Sequence, residues 1–180
     1  MSFLRKGLIV LLALVAVTVI GGFVLPSTVH VERQALINAS PDEVFAEVSD
    51  FNKWEDWSPW AKIDPDATMT ITGKGLGQKM AWASDNPEVG NGTQEITQLE
   101  APRLLKTHLD FGDMGMSDAM FTLEPSEGKT LVTWGLDTDM REGVPLLQQP
   151  ISTYFGFLMD KMVGSQYEEG LASLKKVVEG

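Results

Sequence analysis

The chain predicts an α+β domain in which an antiparallel sheet of about seven strands packs against one long C-terminal helix, behind a single N-terminal membrane-spanning helix. Three observations predict it. Residues 7–25 form an uncharged apolar run. Residues 68–138 contain alternating segments of strand length, separated by turn residues. From Ile151 onward the large apolar residues recur mostly in steps of three and four, which is helical spacing.

The apolar run Gly7–Leu25, GLIVLLALVAVTVIGGFVL, holds no charge and, beyond Thr18, no strongly polar group. As a helix it is about 28 Å long, close to the hydrocarbon thickness of a bilayer. Arg5 and Lys6 precede it, whereas the near flank beyond it offers only Arg33, offset by Glu32. The positive-inside rule then puts the N-terminus in the cytoplasm and the domain outside it, in the periplasm of a Gram-negative cell. A cleaved signal peptide is the alternative; it is disfavoured by the length of the run and by the lack of a small-residue cleavage pattern after it. Residues 1–26 are thus a membrane anchor or signal peptide, and residues 27–180 a domain. Gly21-Gly22 reads as fraying at the outer end of the helix, with helix packing as the alternative.

The chain has 180 residues and no cysteine, so disulfides and thiolate chemistry are excluded. Net charge is −11, and without Arg5 and Lys6 the domain holds 12 basic against 25 acidic residues. That balance argues against nucleic acid and against docking on anionic headgroups.

Val29, Val31, Arg33, Ala35 and Ile37 alternate with the residues between them as a first strand. Ser40 is an N-cap, Pro41 sits at the first helical position, and Glu43 can close a capping box. Val44, Phe45 and Val48 give this short helix one apolar face. Trp54, Trp57 and Trp60 follow at intervals of three, with Pro59 ending the segment. Strands are predicted over 68–72, 78–84, 92–99, 103–111, 116–124 and 129–138, the last two as a hairpin. The sequence GKGLG at 73–77 lacks the Gly-Lys-Ser/Thr ending of a phosphate loop and no helix follows it.

The final helix carries Gly156, Gly164 and Gly170, each costing about 1 kcal/mol relative to alanine in a helix interior. Gly164 and Gly170 flank Tyr167, where thin packing leaves room either for a ligand or for a close strand. Strand alternation puts Met80 with Trp82, Thr107 with Leu109 and Phe111, Phe121 with Leu123, and Val132 with Trp134 on common faces. His108 falls on the opposite face from Leu109 and Phe111, and His30 lies just after the membrane segment. No HExxH, clustered His/Asp set or nucleophile elbow occurs, so catalytic residues, a metal and cofactors are not expected.

The run from Ala39 to Trp60, ASPDEVFAEVSDFNKWEDWSPW, resembles the START-like (SRPBCC) superfamily, in its polyketide cyclase/dehydrase-like branch. The matching positions are Ala39, Ser40, Pro41, Val44, Phe45, Asp50, Phe51, Trp54, Trp57 and Pro59. The C-terminal run MDKMVGSQYEEGLASLKKVVE at 159–179 is similar to the family's last helix. The resemblance covers about Val29–Glu179 and implies a helix-grip fold, a curved sheet wrapped around the last helix. It also implies an apolar ligand pocket, for which the expected lining is Met80, Trp82, Thr107, Leu109, Phe111, Phe121 and Trp134 from the sheet, with Met159, Gly164 and Tyr167 from the helix. The expected function is a membrane-anchored domain that holds a hydrophobic small molecule or lipid without catalysis of its own. Two alternatives stay open: an enzyme of the cyclase, dehydratase or hydrolase kind acting in the cavity, and a protein-interaction module at the membrane.

Overall fold

The computed structural model describes residues 3–180. Its elements are α1 (Phe3–Val24), β1 (Thr28–Ile37), α2 (Pro41–Val48), α3 (Pro59–Ile63), β2 (Thr68–Thr72), β3 (Lys79–Ala83), β4 (Asn91–Glu100), β5 (Leu104–Asp110), β6 (Met116–Ser126), β7 (Lys129–Asp139) and α4 (Gln149–Glu179). All neighbouring strands are antiparallel, in the order β1-β7-β6-β5-β4-β3-β2. β2 to β7 form a meander, and β1 adds to its far edge. This is the predicted helix-grip arrangement: a seven-stranded sheet with α4 packed along it.

Local chemistry accounts for the segment between β1 and β2. The Ser40 hydroxyl accepts from the Glu43 N–H, and the Glu43 carboxylate accepts from the Ser40 N–H, so the capping box is closed on both sides. Asp50 then caps a 3₁₀ helix, Phe51–Asp56, by accepting from the Asn52 N–H. Pro59 differs from expectation. It starts α3 at the first helical turn instead of ending the segment, because a proline without an N–H is tolerated there. Gln78 ties this segment to the sheet: its side chain accepts from the Phe51 N–H at 3.0 Å and donates to Asp50 at 2.9 Å.

The core lies between α4, the α2–α3 segment and the inner face of the sheet. Trp57, Phe51, Trp134, Phe121, Leu105, Tyr167 and Leu174 are all essentially sealed from water. The apolar positions of α4 split into two stripes. Tyr167, Leu171 and Leu174 are buried, with Met159 and Val163 half-buried on the same core, whereas Ile151, Phe155, Leu158 and Met162 are exposed.

α1 and α4 touch. A Cβ on Gly22 would sit 2.5 Å from the Pro150 Cα, and one on Gly21 would sit 2.5 Å from the Tyr154 hydroxyl. The glycine pair therefore marks close helix packing, not the fraying expected from its position near the end of the run. Arg141 donates to the carbonyls of Gly22 (3.1 Å) and Leu25 (2.5 Å), satisfying acceptors that the end of α1 leaves free.

Candidate functional site

Inside the grip, register brings Arg33, Trp134, Phe121 and Leu105 into one row across four strands. Trp134 stacks on Phe121 at 4.7 Å between ring centroids, and on Tyr167 of α4 at 3.8 Å. Trp54 and Trp57 close the row edge-on, 6.3 and 5.5 Å from Trp134. Burial raises the Tyr167 phenol pKa far above its usual value, so the ring stays neutral. The Trp54 indole N–H donates to the Val48 carbonyl at 2.9 Å, whereas the buried indole N–H groups of Trp57 and Trp134 have no partner among the described residues.

The expected lining residues therefore fall into two groups. Phe121, Trp134 and Tyr167 pack on one another. Met80 and Thr107 are buried farther along the same inner face, while Trp82, Leu109, Phe111 and Met159 are half-buried. Trp82 faces Phe111 edge-on at 5.8 Å, and its indole N–H donates to the Val89 carbonyl at 3.2 Å. That partner, seven residues along the chain, was not evident from sequence. Thr107 accepts from the Gln94 side-chain amide at 2.8 Å, a buried polar pair among apolar neighbours. Gly164 stands apart from both groups, because the space where its Cβ would lie is taken by the Arg33 guanidinium.

Arg33 went unnoticed in the sequence as a functional candidate, being one residue in an alternating strand. It reaches from β1 to α4 and donates to Asp160 at 2.8 Å and Glu168 at 2.7 Å. Asp160 therefore pairs with Arg33, not with the adjacent Lys161. The Arg33 hydrogen bond holds the Asp160 carboxyl below its ordinary pKa. Trp54 and Trp57 face inward, which leaves only the half-buried Trp60 of that trio for any docking role.

On the outer face, register aligns His30, Asp137, Asp118 and His108 across β1, β7, β6 and β5. His30 Nδ1 lies 2.7 Å from Asp137, and His108 Nδ1 lies 2.8 Å from Asp118. These residues line a groove of about 470 Å³. Both histidines are exposed, His108 on the outer face where strand alternation puts it. Among the described residues no group of three or more His, Asp or Glu is arranged to hold a metal ion.

The fold is shared with solved structures of low sequence identity. Norcoclaurine synthase of Thalictrum flavum, a point mutant bound to a transition-state analogue, superposes with a TM-score of 0.61 at 14% identity, covering 87% of this chain and 99% of that one. A protein from Arthrobacter aurescens gives 0.57 at 20% identity, over 82% and 87% of the two chains. The protein Ms6760 from Mycobacterium smegmatis gives 0.56 at 14%, over 84% and 91%. No match was found among curated protein sequences. The family model described as polyketide cyclase / dehydrase and lipid transport matches residues 28–179, from the first residue of β1 to the last of α4. By that match over nearly the whole length, the chain belongs to the polyketide cyclase/dehydrase and lipid transport family.

Proposed function

We propose that the domain binds a hydrophobic small molecule or lipid between the inner face of the sheet and α4, and holds it without transforming it. The observation that carries this reading is the pair of unpartnered buried indoles, Trp57 and Trp134. A buried tryptophan N–H ordinarily finds an acceptor, and leaving one unpaired costs about 1–3 kcal/mol. The two rings touch edge-on at 5.5 Å, so a ligand oxygen supplies that acceptor only once the aromatic cluster parts to admit it. Met80, Trp82, Leu109, Phe111 and Met159 offer adaptable apolar surface next to this core. Arg33 at the edge of the inner face is tied up in ion pairs with Asp160 and Glu168.

The domain is held at a membrane by α1, with the N-terminus in the cytoplasm. Arg5 and Lys6 before the apolar run support that orientation. A C-terminal alkaline phosphatase fusion should be active and a C-terminal green fluorescent fusion dark; the reverse pattern overturns the topology.

The binding reading is tested by mass spectrometry of lipids extracted from the purified protein. Titration of the delipidated protein with fatty acids, isoprenoid quinones and an apolar dye, read by tryptophan fluorescence, completes the test. Saturable binding that is lost in Trp134→Phe, with folding intact, supports the proposal. No saturable binding by any class overturns it.

A further inference from the structure

We infer that the first half of α4, with the segment that leads into it, lies within the bilayer leaflet on the domain's side, beside α1. The inference rests on α1 being the membrane span. Ile151, Phe155, Leu158 and Met162 recur at intervals of four, three and four and are 62%, 54%, 49% and 57% exposed. They make one open apolar stripe, opposite in role to the stripe that packs on the sheet. Phe157 at 67%, on another side of the helix, and Leu147 at 91%, in the segment before it, are exposed as well. Of the large exposed hydrophobics beyond α1, most fall between 146 and 162. Apolar side chains gathered in this way mark a surface that something apolar covers.

Charge and polar pairing identify the cover as lipid. No charged residue occurs between Glu142 and Asp160. Three of the five polar side chains inside that interval, Gln149, Thr153 and Tyr154, find partners within the protein, and Gln148 and Ser152 find none among the described residues. The Tyr154 hydroxyl donates to the Thr18 carbonyl at 2.9 Å, Thr153 to the Gln149 carbonyl at 2.9 Å, and the Gln149 amide to the Val144 carbonyl at 3.0 Å. Hydrocarbon demands such internal satisfaction, whereas water does not. The domain's strong negative charge repels anionic headgroups, so attachment beyond α1 has to be apolar.

Position supplies the third argument. Pro150 meets α1 at Gly22, and Tyr154 meets it at Gly21 and Thr18. Successive turns of α4 thus contact α1 at points progressively farther from its outer end. Thr18 lies seven residues before Leu25, about 10 Å along a helix. A span that crosses the bilayer therefore carries the start of α4 below the interface with it. The small residues Gly21 and Gly22 permit the close approach that helices in lipid rely on. Arg141 sits on the outer end of α1, and Asp160 with Lys161 set the limit beyond which α4 has to leave the hydrocarbon.

The full chain contains no cysteine, so single cysteines can be placed at Val10, Phe157 and Lys129, labelled with bimane, and reconstituted into phosphatidylcholine–phosphatidylglycerol vesicles. Brominated acyl chains should quench Val10 and Phe157 about twofold or more and leave the hairpin position Lys129 unquenched. Quenching at Val10 with none at Phe157 overturns the inference and leaves the anchor intact. If that result comes with disulfide cross-linking between Phe157→Cys chains, a second copy is the cover. No quenching at Val10 overturns the anchor itself; Phe157 then still reads the surface, quenched if it meets lipid on its own and unquenched if the inference fails.

Discussion

Trp134 of β7 lies flat on Tyr167 of α4, with ring centroids 3.8 Å apart and planes 10° from parallel. The contact joins the sheet to the last helix at the centre of the domain. Gly170 makes room for it: a Cβ there would stand 2.7 Å from Trp134 Cζ3. The helix tolerates its poor intrinsic propensity at this position in exchange for one large aromatic contact.

Removing that contact should be costly. Trp134→Ala and Tyr167→Ala are each expected to lose about 3–5 kcal/mol, the usual range for deleting a buried aromatic side chain. Gly170→Ala should lose about 1–3 kcal/mol by overpacking. Denaturant unfolding of the full chain in detergent measures all three, and an unchanged midpoint in Tyr167→Ala would show that the stack carries no load.

Gly164→Leu should act through Arg33. The new side chain needs the space that the guanidinium occupies, so it breaks the ion pairs to Asp160 and Glu168. A loss of about 1–3 kcal/mol is expected, in the range for overpacking. Because the two residues are in contact, Arg33→Ala in the same chain should recover part of that loss. Strict additivity of the two substitutions would separate them.

His30 should titrate above the ordinary histidine value. The Asp137 hydrogen bond is the largest cause, with the charges of Asp137 and Glu32 adding to it. A histidine whose pKa is raised on folding stabilises the fold fully below its unfolded value, about 6.5. The contribution fades as pH rises through the folded pKa. It is small, because the pair is exposed to solvent. Imidazole proton resonances followed against pH should show the elevated midpoint, and Asp137→Asn should bring it back down.

Residues 27–180 should fold without α1, since every strand and the sealed aromatic core lie beyond Leu25. The exposed stripe on α4 should make this fragment bind detergent. Circular dichroism and gel filtration with and without micelles test this. A disordered fragment would show that α1 is part of the fold.

Residues with local effects were legible in the sequence. The capping box of Ser40 and Glu43, the antiparallel meander and the inward turn of Thr107 and Phe121 follow from spacing and alternation. The site was legible only as a set of candidate residues. Trp134 and Tyr167, 33 residues apart, could be guessed to face the same interior, but not to fill it against each other.

By itself, then, the sequence determined the strands and the main helices, though not the short α3 that Pro59 begins, together with their order and the family. Each of those depends on the residues within a turn or two of one another, or on motifs read in line. Tertiary structure decided what the apolar and charged residues meet. It gave Arg33 to Asp160 and Glu168, brought Gly22 against Pro150, and split the apolar positions of α4 into a stripe facing protein and a stripe facing outward. A helical period marks which residues share a side of a helix. Which sides a sheet covers depends on where the sheet ends, and on contacts between residues far apart in the chain.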